Sequence, residues 1–272
     1  MRGFCLLIPF VFSGFLWSAE EKTFLESKGV VAIEAESTNS RLGQWEKKSD
    51  VADFQGSCHL EFTGNKPEMG PPKSPLKYHF QIQKSGKYQL TLRARKRLIS
   101  KREDICNDCY VALKGDFQSA TTAPMSVLKS DTKMFGGKPD GWGWTTLLDV
   151  NHKKHPAIYQ LKAGEVYELT ISGRSKNFNF DRILLVHEDI GVKTAQRDNP
   201  PESKVVDRRD QTSSSRPERV LTNREGRKIE AELMELRAGV LICLIKGRRY
   251  ELPLESLSKA DQEFLRKWNE LR

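Results

Sequence analysis

Two stretches of the chain alternate strictly between apolar and polar residues, and a period of two leaves only one kind of architecture open. Tyr88, Leu90 and Leu92 alternate with Gln89, Thr91 and Arg93, and Tyr167, Leu169 and Ile171 with Glu168 and Thr170. Successive side chains of a strand point to opposite faces, so both stretches read as strands buried on one side. The short runs "CHLEF", "LKYHFQIQ", "DCYVALK", "WTTLLDV" and "DRILLVH" are rich in β-branched and aromatic residues. Gly, Pro, Asn or Asp separates them, as between strands. With the opening run "VVAIEAEST" they predict about eight or nine strands and no helix between residues about 29 and 187. The expected fold is mainly β: an antiparallel jelly-roll β-sandwich. The long loop from about 115 to 144, with "MFGGKPDGWGW" near its end, is where such a scaffold places binding.

The opening run, residues 30–38, carries an anomaly. Val31, Ile33 and Ala35 share one strand face, which leaves Glu34 and Glu36 together on the other. Carboxylates at i and i+2 lie roughly 7 Å apart and repel unless water or a cation separates them. From the residues alone, a solvated face and a cation site are both open.

The 272 residues are 38% hydrophobic and 30% charged, with a net charge of +9. That balance favours anionic partners without choosing among nucleic acid, anionic glycan and membrane surface. Arg2 precedes "GFCLLIPFVFSGFLW" and then "SAEEK", the pattern of a secretory signal peptide over residues 1–19, too short to span a membrane comfortably. No other long apolar run occurs, so the expected product is secreted, periplasmic or at the cell surface, with no membrane span. Export permits disulfides. Cys58, Cys106, Cys109 and Cys243 remain. Cys243, inside "GVLICLI", reads as a buried thiol, and a disulfide among the other three is open as to pairing. "CNDC" lacks the partner pair or the thioredoxin-like context that zinc or redox chemistry would require.

Residues 190–217 are polar, contain Pro and Ser, and lack periodicity, so a disordered linker is expected between a jelly roll over 22–189 and a second unit over 218–272. That unit contains three strand-like runs, "KIEAELMEL", "GVLICLIK" and "RRYELPLE", then a short helix. Ser258 is a good N-cap, with Asp261 completing a capping box. Phe264, Leu265, Trp268 and Leu271 give the helix one apolar face. A small SH3-like β-barrel with a C-terminal helix is the expectation.

Several segments carry a resemblance. "VVAIEAEST", "GSCHLEFTG", "YHFQIQKSGKYQLTLRA", "NDCYVAL" and "LKAGEVYELTISGRSKNFNFDRILL" together resemble a family 6 type carbohydrate-binding module of the galactose-binding-like group. The closing Phe178-Asn179-Phe180-Asp181-Arg182-Ile183 is the most specific piece. The resemblance implies that first and last strands lie together around a structural calcium ion, with Glu34, Glu36 and Asp181 as ligands. A hard cation of this kind takes several oxygens at about 2.3–2.6 Å; the alternative is that the three acids form salt bridges, for example with Arg182. It also implies sugar stacking on Trp142 or Trp144, a second aromatic at Trp45, and a polar partner at Asn177 or Asn179. "EGRKIEAELMEL" and "GVLICLIKGRRYELPLESLSKADQEFL" resemble the Sla-type homology (SHD) domain, with Leu221 where that family usually carries Trp. This second resemblance implies the fold and a protein or peptide partner, and no ligand residues.

"RARKRLISKR", residues 93–102, reads either as a patch for sulfated or uronic-acid polysaccharide or as a solvated strand end. Nucleic acid is not expected, since no aromatics interleave that stretch. His152 and His155 of "HKKH" read as surface histidines, and His59, His79 and His187 are scattered. No nucleophile elbow, phosphate loop or paired zinc motif is present, and although Glu34 and Glu36 could mimic a glycosidase pair, adjacent same-face positions near a chain terminus suit an ion better. The expected protein is a secreted, non-catalytic adaptor joining a glycan, anionic or neutral, to a protein. The rivals are an interaction module without sugar binding and a polysaccharide-active enzyme.

Overall fold

The sandwich combines strands that alternate, such as Gly86–Lys96 and Val166–Gly173, with strands buried on both faces, such as Val30–Glu34 and Phe178–His187. The computed structural model describes residues 22–207, 218–245 and 248–270, in two compact units divided after Val205. The expected signal peptide and residues 208–217 of the expected linker lie outside the described residues.

In the first unit one sheet runs, in spatial order, Lys153–Pro156, Leu147–Val150, Thr132–Phe135, Asp108–Lys114, Val166–Gly173, Lys73–Gln81 and Lys22–Leu25. The second runs Trp45–Lys48, His59–Phe62, Phe178–His187, Gly86–Lys96, Ile158–Leu161 and Gln118–Ser119. Val30–Glu34 also pairs with Phe178–His187, and Gly143–Thr145 with Gly86–Lys96. Between the sheets, Leu90, Leu92, Ile183 and Leu185 meet Tyr78, Phe80, Val111 and Leu169 in one buried core. Each such side chain contributes about 1.5–3 kcal/mol on burial. Trp45 belongs to this core: it is 2% exposed, its ring centroid lies 5.1 Å from Phe62 and 5.2 Å from Phe180, and its Nε1 donates to Ser74 O. A sugar cannot reach its face there, which corrects the expectation of a second stacking aromatic.

Three local departures shape the site. "WTTLLDV" is two strands, because the chain changes sheets at Thr146: Thr145 pairs with Leu92 of one sheet, Leu147 with Phe135 of the other. The region expected as a long loop contains a short helix, Met125–Lys129, and the Thr132–Phe135 strand. The expected linker begins as structure. Val192–Asp198 is a helix whose Ala195 is buried against Val30, Ala32, Leu184 and Val186. The chain then follows the first strand: Ala32 N donates to Ser203 Oγ at 3.0 Å, Ser203 N to Ala32 O at 2.8 Å and Leu25 N to Lys204 O at 2.9 Å. Val30–Glu34 is therefore buried on both faces, not on one. A helix this short, anchored by one alanine, has no periodicity to read.

Cys58, Cys106, Cys109 and Cys243 are buried free thiols, so the disulfide left open among the first three is not formed. Among the described residues, no helix is long and apolar enough to cross a membrane.

The second unit is a four-stranded antiparallel sheet in the order Glu218–Thr222, Lys228–Arg237, Val240–Ile245, Arg248–Pro253, followed by the helix Lys259–Glu270. The first of these strands was not among the three expected. Its Leu221 enters a core with Leu233, Leu241, Cys243 and Leu265, against which Phe264 and Trp268 pack. The expected cap forms: Asp261 N donates to Ser258 Oγ at 3.3 Å and Ser258 Oγ to Asp261 Oδ2 at 2.8 Å. Asp261 reaches further, accepting from Thr222 N at 2.9 Å and Arg219 Nε at 3.1 Å, so one carboxylate ties the helix start to the first strand. Asp261→Ala should destabilise this unit by about 1–3 kcal/mol, since it orphans a backbone donor and a cap together. Urea denaturation of the full chain, followed at Trp268, measures it.

Candidate functional site

The outer face of the second sheet is polar where a solvated face would be unremarkable, but its polar groups are buried. One row of pairing sets Glu61, Asn179 and Arg95 side by side on three adjacent strands. His59 lies two residues from Glu61, and Arg93 and Arg97 flank Arg95 at the same spacing, so all project to this face. An irregularity in the ladder at Asp181 widens it. Phe180 and Ile183 both enter the core although strict alternation would separate them, and Asp181 and Arg182 are both turned away from it.

Most of these charges are matched within the protein. Arg97 donates to both Glu61 oxygens at 2.6 Å and to Asn177 Oδ1 at 2.7 Å. Arg93 pairs with Asp181 at 2.5 Å and donates to Asp53 O at 2.7 Å. Arg102 pairs with Asp104 at 2.7 Å, so the basic run is in large part an internal network rather than a free patch. Asn177, at φ +67°, holds a turn, and its carbonyl accepts from Asn179 Nδ2 at 2.8 Å.

Trp142 sits at the rim of this face. Its Nε1 donates to Ala52 O at 3.0 Å, its ring meets His59 edge-on at 5.0 Å, and the Arg93 guanidinium lies 5.4 Å from its centroid. Trp144 packs instead against the cluster around Val30, Ala32, Leu184 and Ala195. The structure thus brings Trp142, Asn177 and Asn179 to one face and leaves Trp144 at the edge of a small apolar cluster. His59 is the residue that sequence reasoning missed. It is fully buried, and desolvation pushes its pKa down. The Asn179 amide is close enough to favour the charged ring, yet neither ring nitrogen makes a hydrogen bond. The only signal in the sequence was its place two residues before Glu61 in "CHLEF". His152 and His155 lie in or beside a surface strand, His155 Nδ1 within 2.8 Å of Thr122 Oγ1.

The three acids expected to hold calcium are close in space but turned to other partners. Arg182 Nε lies 3.1 and 3.2 Å from the two Glu34 oxygens, and its Nη2 also bonds Glu34. Asp181 faces Arg93 and accepts from Gln55 N at 2.9 Å. Glu36 is in a 3-10 turn rather than the strand, and its Oε1 accepts from Ser57 N at 2.5 Å and Cys58 N at 3.1 Å. Glu36 Oε2 alone is buried without a partner. Among the described residues, no three His, Cys, Asp or Glu side chains form a group that could hold a metal ion. A calcium ion needs converging oxygens, and this arrangement does not fit one: arginines stand where the cation was expected. Burial pushes Glu34 up to about 7, desolvation outweighing the adjacent guanidinium.

A β-sandwich with a rim tryptophan over a half-satisfied polar face has the form of a ligand-binding module. Residues 23–195 match the model of the glycosyl hydrolase family 115 C-terminal domain, and the chain belongs to that family. Among solved structures it is similar to the Podospora anserina GH26-CBM35 β-(1,4)-mannanase, at 13% identity and TM-score 0.39 over 60% of this chain and 28% of that one. It is also similar to a CBM35 from Paenibacillus barcinonensis, at 11% identity and TM-score 0.37, covering 58% of this chain and 99% of that one. A family 35 carbohydrate-binding module from Clostridium thermocellum stands at 14% identity and TM-score 0.36, with 57% and 96% covered. The family model that matches is the family 115 C-terminal domain rather than the family 6 type. No curated protein sequence matches.

Two outcomes follow from the carboxylate network. At pH 8, Arg182→Met should cost about 3–5 kcal/mol, because it strands Glu34 in the interior, whereas exchanging calcium for a chelator should leave the melting temperature of the full chain unchanged. Glu34 holds its proton to about 7 in the folded state against 4.5 ordinarily, so its contribution is complete below 4.5 and lost as pH rises through 7. Glu34→Gln should therefore gain on the parent protein as pH rises from 5 to 8, read as melting temperature against pH.

Proposed function

We propose that this protein is a secreted, non-catalytic carbohydrate-binding adaptor. The jelly roll takes a glycan on the Trp142 face, and the small C-terminal unit makes a protein contact. The observation that carries the reading is Trp142, tethered by its indole N–H at the rim of a face where Asn179 Oδ1 accepts no hydrogen bond and neither His59 nitrogen makes one, Nε2 lying 3.6 Å from Asp50 Oδ1. Carbohydrate recognition pairs an aromatic platform for the apolar face of a pyranose with a few fixed polar groups for its hydroxyls. Family membership supports a role in polysaccharide chemistry, and the net charge of +9 favours an anionic polymer. For the C-terminal unit, support comes from the half-exposed Val220 in a surface groove of about 1070 Å³ lined also by Arg219, Ile229 and Ile245.

The experiment is binding of the purified full chain to a broad glycan array at low and moderate salt, with a parallel assay for released sugar. Saturable binding that Trp142→Ala weakens at least about tenfold, with the melting temperature little changed, is the expected result. Trp144→Ala should lower the melting temperature and leave affinity nearly intact. Released product from any glycan would replace this reading with an enzymatic one. Absence of binding by folded protein would replace it with a protein-interaction module.

A further inference from the structure

The small C-terminal unit has an open sheet, and one of its edges is only half covered. Glu218–Thr222 pairs with Lys228–Arg237 along one side. Along its other side runs the chain's own segment before the helix, but only from Thr222 onward. Ser258 N donates to Thr222 O at 2.7 Å, Arg224 N donates to Ser256 O at 3.1 Å, and Asn223 bridges to Leu257. Thr222 N donates to Asp261 Oδ2 at 2.9 Å, so both backbone groups of Thr222 face this edge. Alternate residues of an antiparallel ladder turn their backbone groups the same way. The N–H and C=O of Val220 and Glu218 therefore face the same edge, where no strand lies among the described residues.

An edge of unpaired backbone groups is a template for another strand, and proteins commonly blunt such edges with proline and charge. The opposite edge of this sheet, Arg248–Pro253, ends in proline and exposes Arg248. The open stretch instead places Val220, 48% exposed, at its centre. A groove lined by Val220, Ile229, Ile245, Glu218 and Glu230 runs beside it. Val220 stands directly opposite Glu230 in the ladder, so Glu218, Val220 and Glu230 share one face. Neither Glu218 nor Glu230 makes an ion pair among the described residues. Arg219 points to the other face and is engaged by Asp261 at 3.1 Å and by the Phe264 ring at 3.7 Å. Lys228, opposite Thr222, is the groove's remaining cation. The groove is thus acidic on a chain whose net charge is +9. Opposite charges on neighbouring strands attract and like charges repel. A second copy paired along this edge would bring two Glu218 carboxylates onto one face of the seam, whereas a basic strand would meet them with lysine or arginine.

We propose that Glu218–Thr222 accepts an extended basic peptide of a partner protein as a fifth strand of this sheet. The backbone groups of Val220 and Glu218 hold it, Glu218 and Glu230 select lysine or arginine, and Val220 takes an apolar side chain between them. Main-chain bonds supply affinity in strand addition and alternate side chains supply specificity. This rests on the protein-contact reading of the C-terminal unit given above and adds to it the kind of partner and the way it is held.

The test is fluorescence anisotropy of labelled synthetic peptides, about seven residues long, titrated with the purified full chain at low and moderate salt. One peptide alternates valine with lysine, and one alternates valine with glutamate. Two further lysine peptides carry N-methyl groups on alternate residues, each on a different edge of the peptide strand. The lysine peptide should bind about tenfold or more tighter than the glutamate peptide, with a margin that shrinks as salt rises. Only one edge of a bound strand faces the protein, so one N-methylated peptide should lose binding and the other keep it. Glu218→Lys should erase the preference for lysine. Val220→Pro, which removes an edge donor without touching a bond inside the sheet, should weaken binding at least about tenfold. Tyr250→Ala, on the opposite edge, should leave binding unchanged. Should Val220→Pro unfold the unit, the peptide pairs and Glu218→Lys still decide. Equal binding of lysine and glutamate peptides, indifference to both N-methylated sets, or a dimer of the chain that Glu218→Lys strengthens would overturn the inference, while peptide binding of any charge kept the protein-contact reading standing. No binding of any peptide by folded protein would remove both.

Discussion

The closing strand of the sandwich, Phe178–His187, is buried along its whole length, and the rest of the first unit is arranged around that fact. It pairs with Gly86–Lys96 along one edge and with both Val30–Glu34 and His59–Phe62 along the other. A strand hemmed in so completely has no water for its polar side chains, so each needs a protein partner. Arg182 finds Glu34, Asn199 Oδ1 and Pro200 O, and Asp181 finds Arg93 and Gln55 N. The first strand, the loop around residue 55 and the segment after the short helix are all held by side chains of this one strand.

In this network arginines stand where a cation was expected. Two carboxylates near the first and last strands do need positive charge between them. Guanidinium groups supply it from the strand itself and from its neighbour, with directional hydrogen bonds that a metal ion would otherwise replace with coordination. The same logic, carried one row along the sheet, accounts for Arg97 and Glu61.

The legible part of the fold was the part governed by a single buried face. Tyr88, Leu90 and Leu92 alternate in the sequence and are all buried in the core. The closing strand was recognisable as a strand, but the bulge at Asp181 breaks its alternation, and nothing in the composition announces which side Arg182 takes. Of the aromatic residues, Trp45 and Trp142 look alike in the sequence. One lies opposite Phe62 in a strand pair facing the core and the other just outside a strand at a loop end, a distinction that pairing alone reveals. His59 escaped notice because a histidine in a strand is ordinarily solvated or satisfied, and its significance lies in what does not bond to it. The helix Val192–Asp198 was hidden by brevity, its packing resting on Ala195 and Val192.

The strap from Asn199 to Lys204 has a mechanical consequence. Because Leu25 N bonds Lys204 O, the chain enters and leaves the jelly roll at one edge, a single hydrogen bond apart. Tension passing along the polypeptide through these two points does not run across the sandwich or over the ligand face. It is borne locally, by the few bonds joining Ala32 to Ser203 and Leu25 to Lys204. The domain can be pulled from both ends while the Trp142 face keeps its shape, so that a load peels the strap before it distorts the binding surface.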